Sequence, residues 1–449
     1  MRKLFGTDGI RAIAGESPLD PKTIYAAGLA LAHQVNGSHR QPRILLGMDT
    51  RESSNWIAAV LSAGLAEGGA AVESAGVITT PAIAYLARKL GFSAGVVISA
   101  SHNPWQDNGI KIFGGDGYKL PDATELGIEE EIFRRVETSV APDPAALTPP
   151  PIDVRHRADY EDFLRSAVPG LDLRGLHVVV DCANGAASAI APELFAHLGG
   201  KIHLTHTTPD GRNINASCGA LHPDVVAAET KKLSADIGVT FDGDADRALF
   251  ADAKGNVVNG DAILLLTARD LKARGLLHAS TVVATTMSNM GLEAALKRDG
   301  ICMLRAPVGD KYVLERMQQE KASLGGEQSG HILFPHLATT GDGLLTALVM
   351  LDIVRRSGRP LDELVSDLKV FPQVIVNVRV KEKKPLDEIS AVADSIHDAE
   401  EELNSNGRVV VRYSGTEALA RVMIEAESES LMRRHADRIA AAIRDALGV

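Results

Sequence analysis

Apolar, often β-branched runs alternate with longer amphipathic stretches along most of the chain. In the first part, residues 43–49 and 94–100 are apolar runs of strand length, and residues 56–68 form an amphipathic stretch of helix length. The alternation begins again near residue 177 and once more near residue 280. The strand candidates of these later parts are residues 177–181, 235–241, 280–287, 301–304 and 331–334. Because strands that alternate with helices are typical of βαβ units, the pattern predicts three similar α/β domains with mixed or parallel sheets.

The last part of the chain has a different pattern. Residues 374–380 alternate between apolar and polar side chains, as in a half-solvated strand, and a helix is predicted at about 386–403. Two more strands at 408–412 and 421–425 flank a loop, and a final helix is predicted to end at residue 449. This order predicts a smaller C-terminal α+β domain with a largely antiparallel sheet.

Turn-forming residues mark the expected domain boundaries. Residues 141–151 contain five prolines and indicate a linker, with a helix expected directly after it. Residues 255–260 form a turn-rich junction near the second boundary. The sequence therefore predicts four domains, which are residues 1–152, 153–256, 257–369 and 370–449.

Composition narrows the class of protein. At 449 residues the chain is too long for one ordinary core, and 45% hydrophobic with 23% charged residues is typical of a folded soluble protein. A net charge of −11, spread along the chain, argues against a nucleic-acid-binding or membrane-surface protein. The cysteines, Cys182, Cys218 and Cys302, are too scattered for a disulfide framework and suit a reducing compartment. Since the sequence has no signal-peptide region or transmembrane run, a cytoplasmic location is expected.

The first candidate site for chemistry is the loop that follows the predicted strand at 94–100. It contains Ser101 and His102 before a turn-forming Asn-Pro pair, and Lys111 follows ten positions after the serine. In open α/β sheets ligands bind at the carboxyl edge of the strands. A serine hydroxyl at that edge, beside a histidine and a lysine, is a candidate carrier of a phosphoryl group.

The second candidate loop follows the predicted strand at 235–241. Asp242, Asp244 and Asp246 stand at every second position, and Arg247 comes next. Three carboxylates this close repel one another unless a cation is bound, and oxygen-only ligands favour Mg²⁺. The alternatives are a solvated acidic turn and a calcium loop, although the glutamate that ends such a calcium loop is missing here.

The third candidate loop is the glycine-rich stretch 325–331. Its glycines let the backbone approach a ligand, Glu327 can accept two hydroxyl donors from a sugar, and His331 can exchange a proton with a reacting oxygen. The alternative is a hairpin-like turn with a surface histidine.

The fourth candidate loop, residues 412–417, combines Arg412 with hydroxyl groups and a glycine, and Arg421 follows it. Paired guanidinium donors and successive backbone N–H groups suit a phosphate dianion. The alternative is a β-hairpin with exposed charges.

Residues 5–11 by themselves indicate an ordinary N-terminal loop, and residues 209–215 indicate a structural turn cluster. The dinucleotide-binding and P-loop glycine motifs are absent from the sequence.

Taken in this order, the four loops resemble those of the α-D-phosphohexomutase superfamily. The resemblance runs from Phe5 to about Glu427, and within the superfamily it is greatest to members that act on glucosamine phosphates. The segments that carry it are residues 5–11, 98–104, 180–185, 209–215, 326–331 and 412–417.

The resemblance implies four domains around a central active-site cleft, each contributing one loop. It implies a phosphorylated Ser101, which with Asp242, Asp244 and Asp246 holds one Mg²⁺. The residues that it places for proton transfer and charge stabilisation are Arg11, Lys111 and His331, with His102 beside the nucleophile. Those that it places against the sugar are Arg247, Glu327 and Ser329. Those around the non-reacting phosphate are Arg412, Ser414, Gly415 and Thr416, with Arg421 bracketing the loop.

The implied reaction is the reversible conversion of glucosamine 6-phosphate to glucosamine 1-phosphate in amino-sugar metabolism. Glucosamine or glucose 1,6-bisphosphate is the implied intermediate and activator, and the resemblance is compatible with a homodimer. The chain departs from the subfamily pattern at Ala245, where glycine is more usual, at Ala418, where proline is common, and at Lys311, where arginine is usual. Lysine cannot reproduce the paired donors that arginine offers at that position.

Other functions remain open at this point. A mutase for glucose or mannose phosphates would use the same chemistry, and selectivity between such similar hydroxyl patterns can be modest. A non-catalytic phosphosugar-binding protein or a metal phosphatase would use the same site differently.

Overall fold

The computed structural model describes residues 4–6, 8–36, 41–414 and 418–448, leaving aside the side chain of Ser405. The chain divides into two compact units. The first consists of Met1–Met287 and Asp299–Ser366, and the second of Ser288–Arg298 and Asp367–Val449. Three sheets lie in the first unit and one in the second.

The first sheet has six strands, in the order β1-β2-β6-β5-β3-β4. Its strands are β1 (Phe5–Gly6), β2 (Gly9–Ile13), β3 (Arg43–Met48), β4 (Ala71–Val77), β5 (Ala94–Ile98) and β6 (Asp107–Gly114). Strand β3 runs parallel to β4 and β5, whereas β6 runs antiparallel to β5 and β2, so the sheet is mixed as predicted. Its helices are Pro21–Val35, Ser54–Glu67, Thr80–Lys89 and Asp122–Thr138.

The second sheet has five strands, in the order β11-β10-β9-β7-β8. They are β7 (His177–Asp181), β8 (Lys201–Thr205), β9 (Ile237–Phe241), β10 (Ala248–Asp252) and β11 (Val257–Val258). Strand β11 lies within the junction predicted as a turn at 255–260 and pairs with β10 at the edge of this sheet. The helices are Arg155–Ala167, Ala191–Ala196 and Pro223–Lys232, the first of them directly after the proline-rich linker as predicted.

The third sheet has four strands, in the order β13-β12-β14-β15. They are β12 (Thr281–Thr285), β13 (Cys302–Ala306), β14 (Gly325–Gly326) and β15 (Ile332–Leu333). Strands β13 and β14 run parallel to β12, and β15 returns antiparallel to β14, so this sheet is also mixed. The helices are Gly260–Ala273, Asp310–Glu320, Gly343–Ser357 and Leu361–Leu364.

The second unit contains an antiparallel sheet in the order β16-β18-β17, as predicted for the C-terminal domain. Its strands are β16 (Gln373–Arg379), β17 (Gly407–Tyr413) and β18 (Leu419–Ala426), and its helices are Met290–Arg298, Ser390–Leu403 and Glu429–Leu447. The first of these helices comes from an earlier part of the chain. Its Met290 N–H donates to Glu425 Oε1 at 2.7 Å, and Arg408 Nε donates to Glu425 Oε2 at 2.6 Å. This buried carboxylate ties the inserted helix to the sheet.

Short 3-10 turns complete the secondary structure at Pro144–Ala146, Ala186–Ala189, Gly219–Leu221, His278–Ser280, Leu386–Glu388 and Asn404–Asn406. Within the described ranges, no helix combines the length and the apolar character that crossing a membrane requires.

Two helices of the first sheet approach each other through glycines. A Cβ atom at Gly28, in the helix Pro21–Val35, would lie 2.5 Å from the carbonyl oxygen of Leu61. A Cβ atom at Gly64, in the facing helix, would lie 2.3 Å from the carbonyl oxygen of Tyr25. The two backbones therefore pack at a distance that only glycine permits.

We expect Gly28→Ala to lower the free energy of unfolding by about 1–3 kcal/mol, because the added methyl group must push two packed backbones apart. Denaturant unfolding measures this change. Gly127→Ala is the matched control, since Gly127 is exposed in a helix and its Cβ would meet only Gln34 Oε1, at 4.0 Å. That substitution should stabilise by about 0.5–1 kcal/mol. Equal effects of the two substitutions would contradict the close packing.

Candidate active site

Ser101 lies at the carboxyl end of β5, which ends at Ile98, two residues earlier than predicted. The serine is buried, and its backbone has a φ of 53°, in the left-handed region that residues other than glycine seldom adopt. Its Oγ donates to Asp242 Oδ2 at 2.6 Å and lies 3.2 Å from His102 Nδ1. This strained loop, the serine loop, thus delivers the hydroxyl group directly to the loop that contains Asp242, Asp244 and Asp246. That second loop is the aspartate loop.

The buried guanidinium of Arg51 binds backbone carbonyl groups of the serine loop. Its Nη2 donates to the carbonyl oxygens of Ser101 and Asn103, each at 2.9 Å, and its Nη1 donates to that of Asp107 at 2.9 Å. Asp49 Oδ2 accepts from Arg51 Nε at 2.8 Å, so the buried charge is paired. Arg51 is not among the residues that the sequence motifs single out. The available signal was an Asp-x-Arg triplet at the end of a buried strand.

A second support comes from the turn cluster at 209–215. Asn215 Nδ2 donates to the carbonyl oxygen of Ser101 at 2.9 Å and to that of Asn103 at 3.3 Å. Through Asn215 this cluster supports the serine loop, which is compatible with the predicted structural role.

Asp242, Asp244 and Asp246 lie in the loop between β9 and β10 and are all buried. Burial, with the neighbouring carboxylates of Asp246 and Asp244, raises the pKa of Asp242 well above its ordinary value. Lys111 reaches the cluster from the first sheet, with its Nζ 2.7 Å from Asp244 Oδ2 and 2.8 Å from Asp8 Oδ2. Burial would lower the pKa of Lys111, but these carboxylates outweigh it and raise that pKa. The lysine therefore remains an ammonium ion.

The donor set of the aspartate loop fits a divalent cation. One oxygen from each of the three aspartates lies within 4.8 Å of the others. Asp244 Oδ1 is buried and has no hydrogen-bond partner within the described part of the chain. Hard oxygen ligands of this kind suit Mg²⁺. Between them, Ala245 has a φ of 55°, which explains why glycine would be favoured at that position.

The third loop is the turn between β14 and β15, and its backbone is the hairpin that was considered as the alternative. The histidine is not on the surface, because His331 is only 3% exposed. Its Nδ1 lies 3.7 Å from Asp246 Oδ1 and its Nε2 lies 3.6 Å from Asp310 Oδ2. Burial lowers the pKa of His331, but the carboxylates, led by Asp246, outweigh it and raise that pKa to about 9.

Glu327 is held in place by two hydrogen bonds. Its Oε1 accepts from the Gly309 N–H at 3.1 Å, and its Oε2 accepts from Ser329 Oγ at 3.0 Å. The carboxylate of Glu327 lines the same cavity as His331.

A cavity of about 400 Å³ lies between the serine loop, the aspartate loop and the third loop of the first unit, and residues of all three line it. Its lining includes the predicted residues Arg11, His102, Asp246, Arg247, Glu327 and His331. Burial and the positive charges of Arg247 and Arg11 lower the pKa of His102 to about 4, so its ring is neutral at pH 7. The cavity wall therefore carries guanidinium groups together with a neutral imidazole.

Three charged residues near this cavity were not singled out from the sequence, namely Asp8, Lys119 and Asp310. Lys119 Nζ lies 2.6 Å from Asp8 Oδ1 and 2.6 Å from Asp310 Oδ2, and so links the N-terminal loop to the helix Asp310–Glu320. Lys311, by contrast, forms an ion pair with Asp122 and lines an adjacent cavity of about 780 Å³.

The fourth loop belongs to the second unit and joins β17 to β18, the hairpin considered as its alternative. Arg412 stands directly opposite Arg421 in the strand register. Ser414 is buried, and its carbonyl oxygen accepts from Lys383 Nζ at 2.6 Å. The predicted ligands Gly415 and Thr416 lie outside the described residues.

Models of all four domains of the phosphoglucomutase/phosphomannomutase family match this chain. Domain I matches residues 2–139, domain II residues 158–255, domain III residues 259–371 and the C-terminal domain residues 375–442. The chain therefore belongs to the phosphoglucomutase/phosphomannomutase family.

Individual relatives agree with this assignment. A phosphoglucosamine mutase of Koribacter versatilis is 59% identical over 100% of this chain and 98% of its own length. A crystal structure of a phosphoglucomutase/phosphomannomutase family protein from Burkholderia thailandensis has a TM-score of 0.79 at 23% identity, covering 99% of both chains. Aspergillus fumigatus N-acetylphosphoglucosamine mutase, solved in complex with GlcNAc-6P and magnesium, has a TM-score of 0.63 at 20% identity, covering 100% of this chain and 96% of its own. The solved structures share the fold.

We expect Arg51→Lys to lower the free energy of unfolding by about 1–3 kcal/mol, because an ammonium cannot satisfy the carbonyl groups that the planar guanidinium bonds. Denaturant unfolding tests this, and hydrogen exchange should show faster exchange at the amides of residues 101–103. The control is Arg355→Lys, at an exposed arginine that also donates to a carbonyl oxygen, that of Asp172. Its effect should stay within about 0.5 kcal/mol. Similar losses in both variants would argue against a special role for Arg51.

Proposed function

We propose that this chain interconverts glucosamine 6-phosphate and glucosamine 1-phosphate as an intramolecular phosphotransferase. The observation that carries the proposal is the position of Ser101, whose Oγ lies 2.6 Å from Asp242 Oδ2 at the end of a strand and beside two further aspartates. The choice of an amino sugar is supported by the Koribacter versatilis phosphoglucosamine mutase, which is 59% identical over the whole of this chain.

In the proposed cycle Ser101 begins with a phosphoryl group on Oγ. The P–O bond to the serine breaks and a new P–O bond forms to the free hydroxyl of the sugar monophosphate, whose proton passes to a neighbouring base. The resulting 1,6-bisphosphate turns over in the site. The P–O bond between its original phosphoryl group and the sugar then breaks as a P–O bond to Ser101 Oγ forms, and the released sugar oxygen takes up the proton. Phosphate is neither gained nor lost, so the net reaction is an isomerisation.

Side chains in and beside the cavity are assigned to charge stabilisation and proton transfer in this cycle. Phosphoryl transfer depends mainly on positioning and on positive charge around the moving group. Lys111 and Arg11 are assigned to charge stabilisation, because both are cations beside the serine loop. Arg11 Nη1 lies 3.3 Å from the carbonyl oxygen of Ala100, and Lys111 Nζ pairs with Asp244. His331 and His102 are assigned to proton transfer, since one lines the cavity and the other contacts Ser101 Oγ.

The proposal includes one Mg²⁺ held by Asp242, Asp244, Asp246 and the phosphate on Ser101. The support is the buried Asp244 Oδ1 without a hydrogen-bond partner among the described residues, and the magnesium named in the Aspergillus fumigatus complex. When bound, the ion would polarise the phosphoryl oxygens and offset developing negative charge.

Substrate recognition is assigned to two groups of residues. Those facing the sugar are Arg247, Glu327 and Ser329. Those facing the non-reacting phosphate are Arg412, Ser414, Gly415, Thr416 and Arg421. A glucosamine or glucose 1,6-bisphosphate as activator, a homodimer and a cytoplasmic location complete the proposal and rest on the family resemblance.

We expect a higher kcat/KM on glucosamine 6-phosphate than on glucose or mannose 6-phosphate, in assays with the sugar bisphosphate added. Ser101→Ala should lower turnover by at least about 10³-fold, because it removes the group that carries the phosphoryl. Ser166→Ala, at an exposed serine, is the control and should retain turnover. Intact-protein mass spectrometry should find one phosphoryl group on the wild type and none on Ser101→Ala. A preference for mannose 6-phosphate would overturn the choice of sugar, and net release of inorganic phosphate would indicate a phosphatase.

Chelation with EDTA should lower turnover at least about a hundredfold, and added Mg²⁺ should restore it, because the aspartate cluster needs a cation beside the reacting phosphate. Asp244→Asn should lose a similar factor that excess Mg²⁺ does not restore. Circular dichroism verifies that the variant is folded. The matched control is Asp224→Asn, at an exposed aspartate, which should respond to EDTA and Mg²⁺ as the wild type does. Full turnover in EDTA would rule out the metal.

A further inference from the structure

A second group of metal-ligand side chains lies at the edge of the first sheet, away from the aspartate loop. It consists of Glu73 on the edge strand β4, with Asp153 and His156 from the segment that follows the proline-rich linker. The Asp153 N–H donates to the carbonyl oxygen of Ser74 at 2.8 Å, which fixes the linker against β4. One ligand atom from each of the three side chains lies within 4.8 Å of the other two.

His156 is the unusual member of this group. It is only 4% exposed, and neither ring nitrogen has a hydrogen-bond partner within the described residues. One face of its surroundings is apolar, since the ring packs edge-on to Phe92 with 5.9 Å between ring centroids. A buried polar group without a partner costs free energy, so the arrangement favours a ligand that can bind an imidazole nitrogen.

The carboxylate of Glu73 is oriented toward this histidine. Arg43 donates from Nε and Nη2, at 2.9 and 2.7 Å, and both bonds go to Glu73 Oε1. The other oxygen, Oε2, lies 3.6 Å from His156 Nε2. Arg43 therefore holds the carboxylate in place and leaves one oxygen facing the imidazole.

Asp153 forms an ion pair with an exposed arginine, Arg155. Its oxygens accept from Arg155 Nε at 2.9 and 3.0 Å and from Arg155 Nη2 at 2.5 Å. The Arg155 side chain is 84% exposed, and exposed ion pairs contribute little free energy. A divalent cation can reach this carboxylate by displacing the exposed guanidinium, while Oδ1 also accepts from the Arg155 N–H at 3.0 Å.

We propose that Glu73, Asp153 and His156 form a binding site for Zn²⁺ or a similar divalent transition metal. Zinc bonds of about 2.0–2.1 Å at tetrahedral angles place two ligand atoms roughly 3.4 Å apart. The 3.6 Å between His156 Nε2 and Glu73 Oε2 is close to that spacing. One imidazole and two carboxylates, with water as a fourth ligand, suit zinc, whereas the oxygen-only aspartate loop suits magnesium. Bound metal would tie the edge of the first sheet to the helix Arg155–Ala167.

The test is titration of the full-length, chelator-treated protein with Zn²⁺, with Mg²⁺ present in excess to occupy the aspartate loop. Calorimetry should find one Zn²⁺ site per chain, and Zn²⁺ should raise the Tm. Either His156→Gln or Glu73→Gln should weaken Zn²⁺ binding by at least about tenfold, because each removes a ligand. Arg155→Ala should strengthen it, since the competing cation is gone. Co²⁺ in place of Zn²⁺ should give a visible absorption band that His156→Gln abolishes.

Retained mutase turnover shows that each variant is folded, and Glu73→Gln, at a partly exposed residue, covers the case in which His156→Gln does not fold. Equal Zn²⁺ affinity in wild type, Glu73→Gln and His156→Gln would overturn the proposal and place the ion elsewhere. Unchanged or weaker affinity in Arg155→Ala would also count against it, as would a complete absence of Zn²⁺ binding to the wild type.

Discussion

The buried ion pair between Lys111 and Asp244 is the interaction on which the candidate site depends. Three aspartates within one short loop repel one another in the interior, and a lysine from a neighbouring sheet offsets part of that charge. Because both partners are buried, removing Lys111 would leave the charge of the aspartates uncompensated. The pair therefore joins the serine-bearing sheet to the loop in which Asp242 accepts from Ser101 Oγ.

Rigid backbone contacts position the reacting hydroxyl. Ser101 has a left-handed backbone conformation, which persists only where surrounding groups determine it. Arg51 and Asn215 supply those groups, since both donate to the carbonyl oxygen of Ser101. Phosphoryl transfer asks mainly for positioning and for complementary charge. Side chains that never reach the cavity are thus part of what makes the serine suitable for this chemistry.

Much of the site could be anticipated because its chemistry is concentrated in short stretches of sequence. Asp242, Asp244 and Asp246 are neighbours in the chain, and Ser101 follows a strand that its apolar composition reveals. The alternation of strands and helices likewise predicted three mixed sheets and the antiparallel sheet of the C-terminal part. In the third loop the sequence left a ligand-binding loop and a hairpin with a surface histidine as alternatives, and only the packing over the turn shows that His331 is buried.

The amino-acid sequence by itself determined the alternation of strands and helices and the kinds of chemical group at several strand ends, because these follow from periodicity and residue type over a few positions. Only the tertiary structure decided which distant groups meet. Asp8 contacts Lys111 and Lys119, and Lys119 also contacts Asp310, nearly two hundred residues further along the chain. Such pairs leave no local pattern, since they form only when separate strands and helices pack together and exclude the water that would otherwise solvate each charge.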